Sequence, residues 1–533
     1  MAMYVDIVPN RNSPPAILLR QSLRQGERVV KQTLANLSAW PLSRIEVLKR
    51  LLRGELDHLA SLELTCGLVF GLLFALKGLA DFLGLTAALG KTRLAKLALF
   101  LVLARVAHQG SRLSAVRWAK DQAVSEVLGL DSFDEDDLYA ALDDLCARQP
   151  QIEQALYRRY LKQCGAPPTL LLYDVTSSYL EGELNALGDF GHDRDGKRGK
   201  LQIVIGLLAD PVGEPLAVRV FAGNTADPTT VVEQIRIVKE QFRVQELVFV
   251  GDRGMVKSKG KQALKEAGLR YISALTDPQI RKLLKAGTLQ LGLFHEEVCE
   301  VEADGLRYLL RKNEAEAARE QHRWEDKLAK LTRKVEQRNE HVKASPRCQP
   351  EAGPRQLQSW VARHKLTGQV ELSLEGRTVV LKRNEAAIDK ALELAGCYVV
   401  TTDVPPPQMS GQEVHDSYLY LQRVERDFRQ LKTGLLEVRP VYVRKDSRTR
   451  GHVFCCMLAL KLAREMERRL QAAFGTTDTN ALAITSDDAM TALSRLCLLH
   501  YAIDENTTLT RLPQPDARQK EILEALGVPL PAK

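Results

Sequence analysis

The sequence has few cysteines, and their spacing gives them no structural role. Its 533 residues contain nine cysteines, with no Cys-x2-Cys pair or Cys/His cluster at the spacing of a zinc site or a disulfide framework. The beginning of the chain also lacks a basic segment followed by an apolar one, so we expect no signal peptide. These absences predict a cytoplasmic protein without structural zinc.

Long apolar runs and a strong excess of one charge are also missing. The most apolar stretches, residues 66–76 and 97–104, are far shorter than the roughly 20 residues that a membrane-spanning helix needs. We therefore interpret both as buried helices and expect no membrane partner. The net charge of +8 is modest for this length but favours an anionic partner.

The length predicts several domains, because a single core stops growing near about 250 to 300 residues. Changes in sequence pattern suggest six segments. They are a β-hairpin segment (1–40), a mainly helical region (41–165), the first part of an α/β core (166–276), a β-rich insertion with a charged helix (277–396), the second part of the core (397–470) and a helical tail (471–533).

Short apolar runs bounded by Gly, Asp and Pro fill residues 166–276. The runs TLLLYD, LQIVIGLLAD, PLAVRVFAG, ELVFVGD and YISAL predict buried strands. One helical pattern separates the third run from the fourth, and another separates the fourth from the fifth. This order predicts an α/β fold with a mixed sheet and helices on both faces.

The charged part of segment 277–396 shows a heptad-like spacing. Trp324, Leu328, Leu331 and Val335 are separated by four, three and four residues. A surface helix docked on its own domain is favoured over an intermolecular coiled coil, which needs about three or four heptads.

Two predicted strands end in aspartate, Asp174 after TLLLY and Asp252 after ELVFVG. A single aspartate at a strand end is more often a turn former or a helix cap. Two of them indicate a site, because functional groups in α/β sheets collect at the carboxyl ends of strands. The glycines Gly251 and Gly254 allow close backbone packing around the second aspartate.

Glu425 is the third candidate carboxylate. It lies on an amphipathic helix predicted from about residue 417 to 432, at the edge of a stripe formed by Val424, Phe428 and Leu431. Taken alone, it would be interpreted as an exposed helical glutamate.

Three converging carboxylates cannot all stay ionised without cations, and hard oxygen ligands select Mg²⁺ or Mn²⁺. Two such ions about 3.5 to 4 Å apart would activate a water or a 3′-hydroxyl and stabilise the leaving oxygen of a phosphoryl transfer. Asp174, Asp252 and Glu425 are therefore predicted as both metal ligands and catalytic residues.

Residues 174–275, with DVTSSYLEGE, FAGNTADPTT and VGDRGM, resemble the DDE transposases of bacterial insertion sequences. Tyr418, Glu425 and Lys432 match that group's signature Tyr-x2-Arg-x3-Glu-x6-Lys, but Leu421 replaces the Arg. The departure weakens a phosphate-contact role at that position and leaves the metal ligands unchanged. Through RPVYVRKDSRTRGHVF and the opening PNRNSPPAILLRQSLRQ, the resemblance covers most of the chain.

This resemblance implies a transposase with an RNase H-like core, interrupted by an inserted β-rich domain. We expect residues 277–396 to form this insertion outside the core sheet. The implied partners are the terminal inverted repeats of an insertion sequence and target DNA, bound by a homodimer in the bacterial cytoplasm and nucleoid. The implied reactions are metal-dependent cleavage at the element ends and strand transfer. Two alternatives remain: a nuclease of the same fold that only hydrolyses, and a transposase-derived DNA-binding protein without catalysis, against which the intact carboxylate trio argues.

Residues 423–450 contain nine Lys or Arg against four acids, a net charge of +5. A charge-rich stretch is usually solvated surface, but beside a metal site its cations are better interpreted as phosphate contacts. The predicted DNA contacts are Arg253, Tyr418, Lys432, Arg439 and Arg450.

Two further segments have alternative interpretations, and one histidine is assigned a structural role. The basic stretch 192–200 either touches DNA or is an exposed connector. Residues 112–130 form either a helix-turn-helix-like reader of DNA or ordinary helix packing, which is the commoner case. His452 is interpreted as a local hydrogen-bonding residue, because two-metal chemistry needs no general base.

Overall fold

The computed structural model describes residues 2–10, 14–26, 28–55, 63–192, 194–253, 255–345, 347–433, 438, 441–475, 484–504 and 507–530. The chain divides into two compact units. The first unit comprises Met1–Leu79, Leu113–Ser132 and Met466–Lys533, and the core unit comprises Ala80–Arg112 and Phe133–Glu465. Among the residues described, no helix combines the length and apolarity needed to cross a membrane.

The strands of the described residues are β1 (Ala2–Val8), β2 (Ala16–Gln25), β3 (Arg28–Asn36), β4 (Glu63–Val69), β5 (Leu170–Tyr179), β6 (Gln202–Ala209), β7 (Pro215–Ala222), β8 (Val248–Gly251), β9 (Arg270–Ala274), β10 (Cys299–Ala303), β11 (Leu306–Lys312), β12 (Val370–Glu375), β13 (Thr378–Arg383), β14 (Cys397–Thr402), β15 (Cys497–Asp504) and β16 (Thr507–Arg511).

The helices of the same residues are α1 (Leu42–Leu52), α2 (Gly71–Leu83), α3 (Leu85–Leu89), α4 (Arg93–Ala107), α5 (Arg112–Ala119), α6 (Val124–Leu128), α7 (Glu135–Cys164), α8 (Asp227–Arg236), α9 (Ser258–Glu266), α10 (Asp277–Lys285), α11 (Glu314–Ala344), α12 (Ala352–Arg363), α13 (Glu385–Leu392), α14 (Gly411–Leu419), α15 (Leu421–Thr433), α16 (Asp446–Phe474), α17 (Ser486–Ser494) and α18 (Ala517–Ala525).

The first unit contains two small sheets, with strand orders β1-β2-β3 and β16-β15-β4. The predicted hairpin corresponds to β2 and β3, to which β1 adds a third strand. The expectation of a purely helical tail after residue 471 is wrong, because β15 and β16 lie there. Strand β15 pairs with β4, which lies more than 400 residues earlier in the sequence, and local sequence patterns carry no information about so distant a partner.

A mixed sheet of eight strands forms the centre of the core unit, in the order β10-β11-β14-β9-β8-β5-β6-β7. Strand β8 pairs in parallel with β5 and with β9, while the other pairs are antiparallel. The chain order β5, β6, β7, α8, β8, α9, β9 is the order of strands and helices that the sequence predicted.

Helix α7 leads directly into this sheet and has clear signals at both ends. Asp134 Oδ1 accepts a hydrogen bond of 3.0 Å from the Asp137 amide, and the Asp137 side chain accepts one from the Asp134 amide, which forms a capping box. The helix ends at Gly165, whose φ of +76° is the left-handed conformation that glycine adopts without a steric penalty. Strand β5 follows within a few residues.

Both faces of the sheet are covered at its centre, since every residue of β6 is buried. Side chains alternate between faces along a strand. Leu171, Tyr173 and Val175 of β5 belong to a core that also contains residues of α7, α8 and α9. Asp174 therefore points to the opposite face, where α15 packs against β5.

Part of segment 277–396 joins the sheet, so the expectation that the whole segment lies outside it is wrong. Strands β10 and β11 extend the sheet beyond β14, because the hairpin offers β14 an apolar strand with the buried residues Leu309 and Leu310. The chain leaves the sheet after Lys312 and returns at Cys397, and these two residues are paired across β11 and β14. We call residues 313–396 the inserted segment.

The inserted segment has a core of its own. Leu328, Leu331 and Val335 of α11 are buried against residues of α12, β12 and β13. The interpretation of the heptad-like stretch as a helix docked on its own domain is confirmed. The ends of the segment meet, since the Asn313 amide donates a hydrogen bond of 2.9 Å to the Gly396 carbonyl.

Candidate active site

Strand pairing brings the two aspartates together. The parallel ladder between β5 and β8 ends at the pair Tyr173 and Gly251, so Asp174 and Asp252 are the first residues beyond it on neighbouring strands. Such strands lie about 4.8 Å apart. A Cβ atom at Gly251 would come within 3.0 Å of the Val256 side chain, so glycine permits the tight turn that directs Asp252 into the site.

Asp174 does not end its strand, which corrects the sequence prediction. Strand β5 continues to Tyr179, because β6 pairs with it from Leu172 to Tyr179. Only the parallel partner β8 stops beside Asp174. Asp174 nevertheless lies just beyond the last parallel pair of β5 and β8, because β8 ends there. This position brings Asp174 next to Asp252.

The surroundings of Asp174 favour its protonated form. Burial, the Asp252 carboxylate and the Glu425 carboxylate together raise the pKa of Asp174 to about 7, opposed by a hydrogen bond from the Val175 amide and by the charge of Arg194. The Val175 amide lies 2.7 Å from Asp174 Oδ1. Three negative charges therefore act on one another at this position.

Glu425 reaches the aspartates from α15. Val424, Phe428 and Leu431 of this helix are buried, as the sequence predicted, and fix which face contacts the sheet. Glu425 lies at the solvent-exposed edge of that face. Partial burial of its carboxyl group and the charge of Asp252 raise the pKa of Glu425, opposed by Arg429.

Tyr418 contacts the site from a separate helix. The single helix predicted over residues 417–432 is two helices, α14 and α15, which meet at Tyr420. The Arg423 guanidinium covers the Tyr420 ring at 4.2 Å from its centre. The Tyr418 hydroxyl donates a hydrogen bond of 3.3 Å to Asp252 Oδ1, and burial together with the Asp252 charge raises the pKa of Tyr418.

The carboxylates interact through their charges without forming a ligand cage. In the part of the chain that the structure describes, no group of three or more His, Cys, Asp or Glu side chains is arranged to hold a metal ion. The donor set is nevertheless of the right chemistry, because carboxylate oxygens are the ligands that Mg²⁺ and Mn²⁺ prefer.

Lys432 is held by an acid within the protein. Its Nζ atom donates to Asp195 Oδ1 at 2.7 Å, and the two side chains are 11% and 3% exposed. The Tyr179 amide donates to the other oxygen of Asp195 at 3.2 Å. The pair joins the end of α15 to the end of β5.

The other predicted DNA contacts differ in position. Arg253 is exposed and lies 3.6 Å from Asp277. Arg450 donates to Asp446 at 2.5 Å and to the Val220 carbonyl at 2.6 Å. Arg439 lies outside the described residues.

The basic stretch 192–200 is anchored to the core unit. Arg194 Nη2 contacts both carboxylate oxygens of Asp227, at 2.8 and 2.7 Å, and its amide donates to Ser177 Oγ at 3.1 Å. The sequence shows the charge of this stretch but does not single out Arg194 and Asp195, because their partners Asp227 and Lys432 are distant in the sequence. Arg194 is identified only in the fold, where its charge acts on Asp174, and Asp195 only by its bond to Lys432.

Asp427 was also missed. Its carboxylate is fully buried and receives hydrogen bonds of 2.7 and 2.8 Å from Arg464 Nη1. Arg464 Nη2 also donates to the Val212 carbonyl at 3.0 Å. This pair fastens α15, two residues after Glu425, to α16. An acid between Arg426 and Arg429 in a charged helix gives no sequence signal of burial.

His452 is buried and packs near residue 438. Its Nε2 atom lies 3.3 Å from the Val438 carbonyl, which confirms its interpretation as a local hydrogen-bonding residue. Burial and the charges of Arg112 and Arg105 hold the pKa of His452 well below its usual range.

Comparisons with known proteins bear on this arrangement. A family model described as a transposase DDE domain matches residues 165–462, more than half of the 533 residues. A cryo-EM structure of a piggyBac transposase synaptic complex with hairpin DNA is 9% identical, with a TM-score of 0.36, and the match covers 75% of this chain and 69% of that chain. A comparison with the curated proteins finds no match.

Proposed function

Because the chain belongs to the transposase DDE domain family, we propose that it cuts DNA at the ends of an insertion sequence and joins those ends to target DNA. The observation that carries the proposal is the convergence of three carboxylates: Asp174 and Asp252 lie side by side at the end of the parallel ladder, and burial together with the charges of Asp252 and Glu425 raises the pKa of Asp174 to about 7. They come from β5, from the end of β8 and from α15, which lie far apart in the sequence.

Asp174, Asp252 and Glu425 are the residues that would hold two divalent cations, Mg²⁺ or Mn²⁺. Carboxylates that repel one another in a partly buried site are stabilised by a nearby positive charge. When bound, the ions supply activation of a water or a 3′-hydroxyl and stabilisation of the leaving oxygen. Tyr418 orients Asp252 through its hydroxyl, at 3.3 Å.

We also propose that β5 to β9 form an RNase H-like core. In the sheet these five strands lie in the order third, second, first, fourth, fifth. The first three are antiparallel, whereas the fourth pairs in parallel with the first and with the fifth. This arrangement supports the assignment without reference to sequence similarity.

Arg253, Tyr418, Lys432, Arg439 and Arg450 are the proposed contacts to the DNA backbone. A phosphate that approaches Lys432 competes with Asp195, and one that approaches Arg450 competes with Asp446. Two copies of the chain are proposed to act together, because two element ends must be joined to one target.

A strand-transfer assay tests the proposal. Duplexes taken from both sides of the coding sequence are mixed with a supercoiled plasmid and Mg²⁺, and joined products are separated from merely cut ones. Wild type should join ends to the plasmid. Asp174→Asn, Asp252→Asn and Glu425→Gln should each abolish cutting and joining while DNA binding is kept, whereas Glu246→Gln, at an exposed glutamate, should behave as wild type.

Cut products without joined ones would mean a nuclease. Binding without either product would mean a DNA-binding protein without catalysis. Retained cutting by one of the three carboxylate variants would remove that residue from the site.

A further inference from the structure

A cavity of about 440 Å³ has Arg253, the residue after Asp252, in its wall. Its lining includes His192, Arg194, Asp227, Arg253 and Lys257. Arg253 directly follows Asp252, and the charge of Arg194 acts on Asp174. The cavity therefore lies close to the place where the chemistry is proposed, although none of the three carboxylates lines it.

The charges of the lining are mainly positive. Asp227 is occupied by Arg194 through both of its oxygens. Arg253 has only a loose partner, since Asp277 is 3.6 Å away and both side chains are largely exposed. Lys257 is exposed, and no ion pair to it exists among the residues that the structure describes. Arg253 and Lys257 are thus available to bind an anion in the cavity.

The local backbone adds to this preference. Lys257 caps the beginning of α9, Thr276 caps the beginning of α10, and Asp227 is the first residue of α8. Helix N-termini carry partial positive charge and unpaired amides. Three helices therefore begin at the wall of a cavity that already holds three basic side chains.

We propose that this cavity binds one nucleotide of the DNA strand that passes the carboxylates, with its phosphate against Lys257 and Arg253. The inference rests on the proposed function and adds a binding site to it. Its volume lies within the range of about 300 to 1,000 Å³ typical of ligand sites, so it has room for more than a phosphate alone. Asn224 and Thr225 supply polar groups for the sugar or base.

Lys257 and Lys259 form a matched pair for the test. Both are exposed, and they lie two residues apart at the start of α9, but only Lys257 lines the cavity. DNA affinity is measured without divalent metal across a salt series, by fluorescence anisotropy. Lys257→Ala should reduce the slope of log affinity against log salt by about one phosphate contact, roughly 0.9, and Lys257→Glu should weaken binding further. Lys259→Ala should match wild type.

Neutral methylphosphonate groups, placed at one position of the strand at a time, locate the contact. A methylphosphonate at one position near the cleavage site should lower the DNA affinity of wild type and of Lys259→Ala. The same group should leave the DNA affinity of Lys257→Ala unchanged. Superimposable salt series for the two alanine variants, or no position with this pattern, would overturn the inference. The inference would also be overturned if Lys257→Ala lost affinity for a free deoxynucleoside monophosphate but kept its affinity for DNA.

These outcomes are separable from failure of the proposed function. If wild type neither cuts nor joins DNA, the transposase proposal fails, while the binding comparison still reports on the cavity. If wild type joins ends and the variants bind alike, only the cavity inference fails. Equal thermal unfolding midpoints for wild type and the lysine variants exclude misfolding as the cause of a binding change.

Discussion

The charge state of Asp174 depends on its burial and on the carboxylates beside it. Its pKa in the folded protein, about 7, lies above its ordinary value of 3.8. The folded state therefore binds the proton more tightly than the unfolded state does. The stability gained in this way is fully present below the ordinary pKa and is lost as the pH rises through about 7.

Metal-free wild type should accordingly lose stability relative to Asp174→Asn as the pH rises from 3.8 to about 7. Above that range the difference should stay constant. Thermal unfolding midpoints of both proteins, recorded with a chelator at intervals of pH, measure it. Since Asn keeps the shape of the protonated acid, the titrations of groups outside the site cancel in the comparison. Parallel curves would show that Asp174 has no raised pKa.

Lys432 offers a second test at a single residue. Lys432→Ala should reduce the salt slope of DNA binding by roughly 0.9 and lower stability, because Asp195 is only 3% exposed and loses a cation. Asp195→Asn should raise DNA affinity, since a competing carboxylate is gone. Anisotropy titrations across a salt series measure both effects.

Lys334→Ala, at an exposed lysine of the inserted segment, is the control for Lys432→Ala. If Lys432→Ala lowers stability without changing the salt slope, the lysine has a structural role only.

The site residues differ in how visible they are in the sequence. Asp252 follows a short apolar run and does end its strand, and Glu425 is marked by the buried stripe around it. The partner of Lys432 could not be found, because Asp195 lies 237 residues away and pairing across that distance depends on the fold. The function of the trio remains a proposal that the carboxylate variants test.

At the scale of elements, the position of Glu425 depends on how α15 is fastened. Asp427 and Arg464 form a buried ion pair between α15 and α16. Breaking a buried pair by removing one partner costs about 3 to 5 kcal/mol, whereas replacing both with apolar residues is often neutral. The pair thus holds the helix that carries the third carboxylate.

Arg464→Met should lower the free energy of unfolding by roughly 3 to 5 kcal/mol and reduce cleavage, because α15 loses its attachment. The double variant Asp427→Leu with Arg464→Met should recover most of both. Denaturant unfolding and cleavage rates are measured on the same preparations. Arg333→Met, at an exposed arginine of the inserted segment, is the control. Full activity of Arg464→Met would mean that other contacts position Glu425.

The type and order of the core elements could be predicted from the sequence, whereas their extent and partners could not. The run TLLLYD shows an apolar strand, but it does not show that β6 pairs with β5 as far as Tyr179. The break between α14 and α15 has no Gly or Pro to mark it. Strands β10 and β11 resemble an independent hairpin locally, and only their pairing with β14 places them in the sheet.

On the scale of the whole molecule, the inserted segment is removable in principle. It leaves the sheet after Lys312 and returns at Cys397, and these residues face each other in adjacent antiparallel strands. Deleting residues 314–395 would join Asn313 directly to Gly396. The resulting Asn-Gly pair is the preferred sequence of a two-residue hairpin turn.

The shortened chain should fold with β11 and β14 paired and with DNA binding kept. Circular dichroism, the thermal midpoint and anisotropy titrations check this. A control deletion that joins Ala303 to Cys397 removes β11 as well, and it should fold less stably because β14 loses its partner. An insoluble product from the first deletion alone would show that the inserted segment supports the sheet.

The contact between Asn313 and Gly396 also affects the rate of folding. Strands β11 and β14 are separated by the 84 residues 313–396, and closing so long a loop costs roughly 3 kcal/mol more conformational entropy than closing a two-residue turn. Wild type must either close this long loop or wait until the inserted segment has folded around Leu331 and brought its own ends together. In both cases we expect the shortened chain to refold faster than wild type in stopped-flow experiments. In the full chain, the segment that supplies none of the three carboxylates would then determine when the sheet that carries Asp174 is completed.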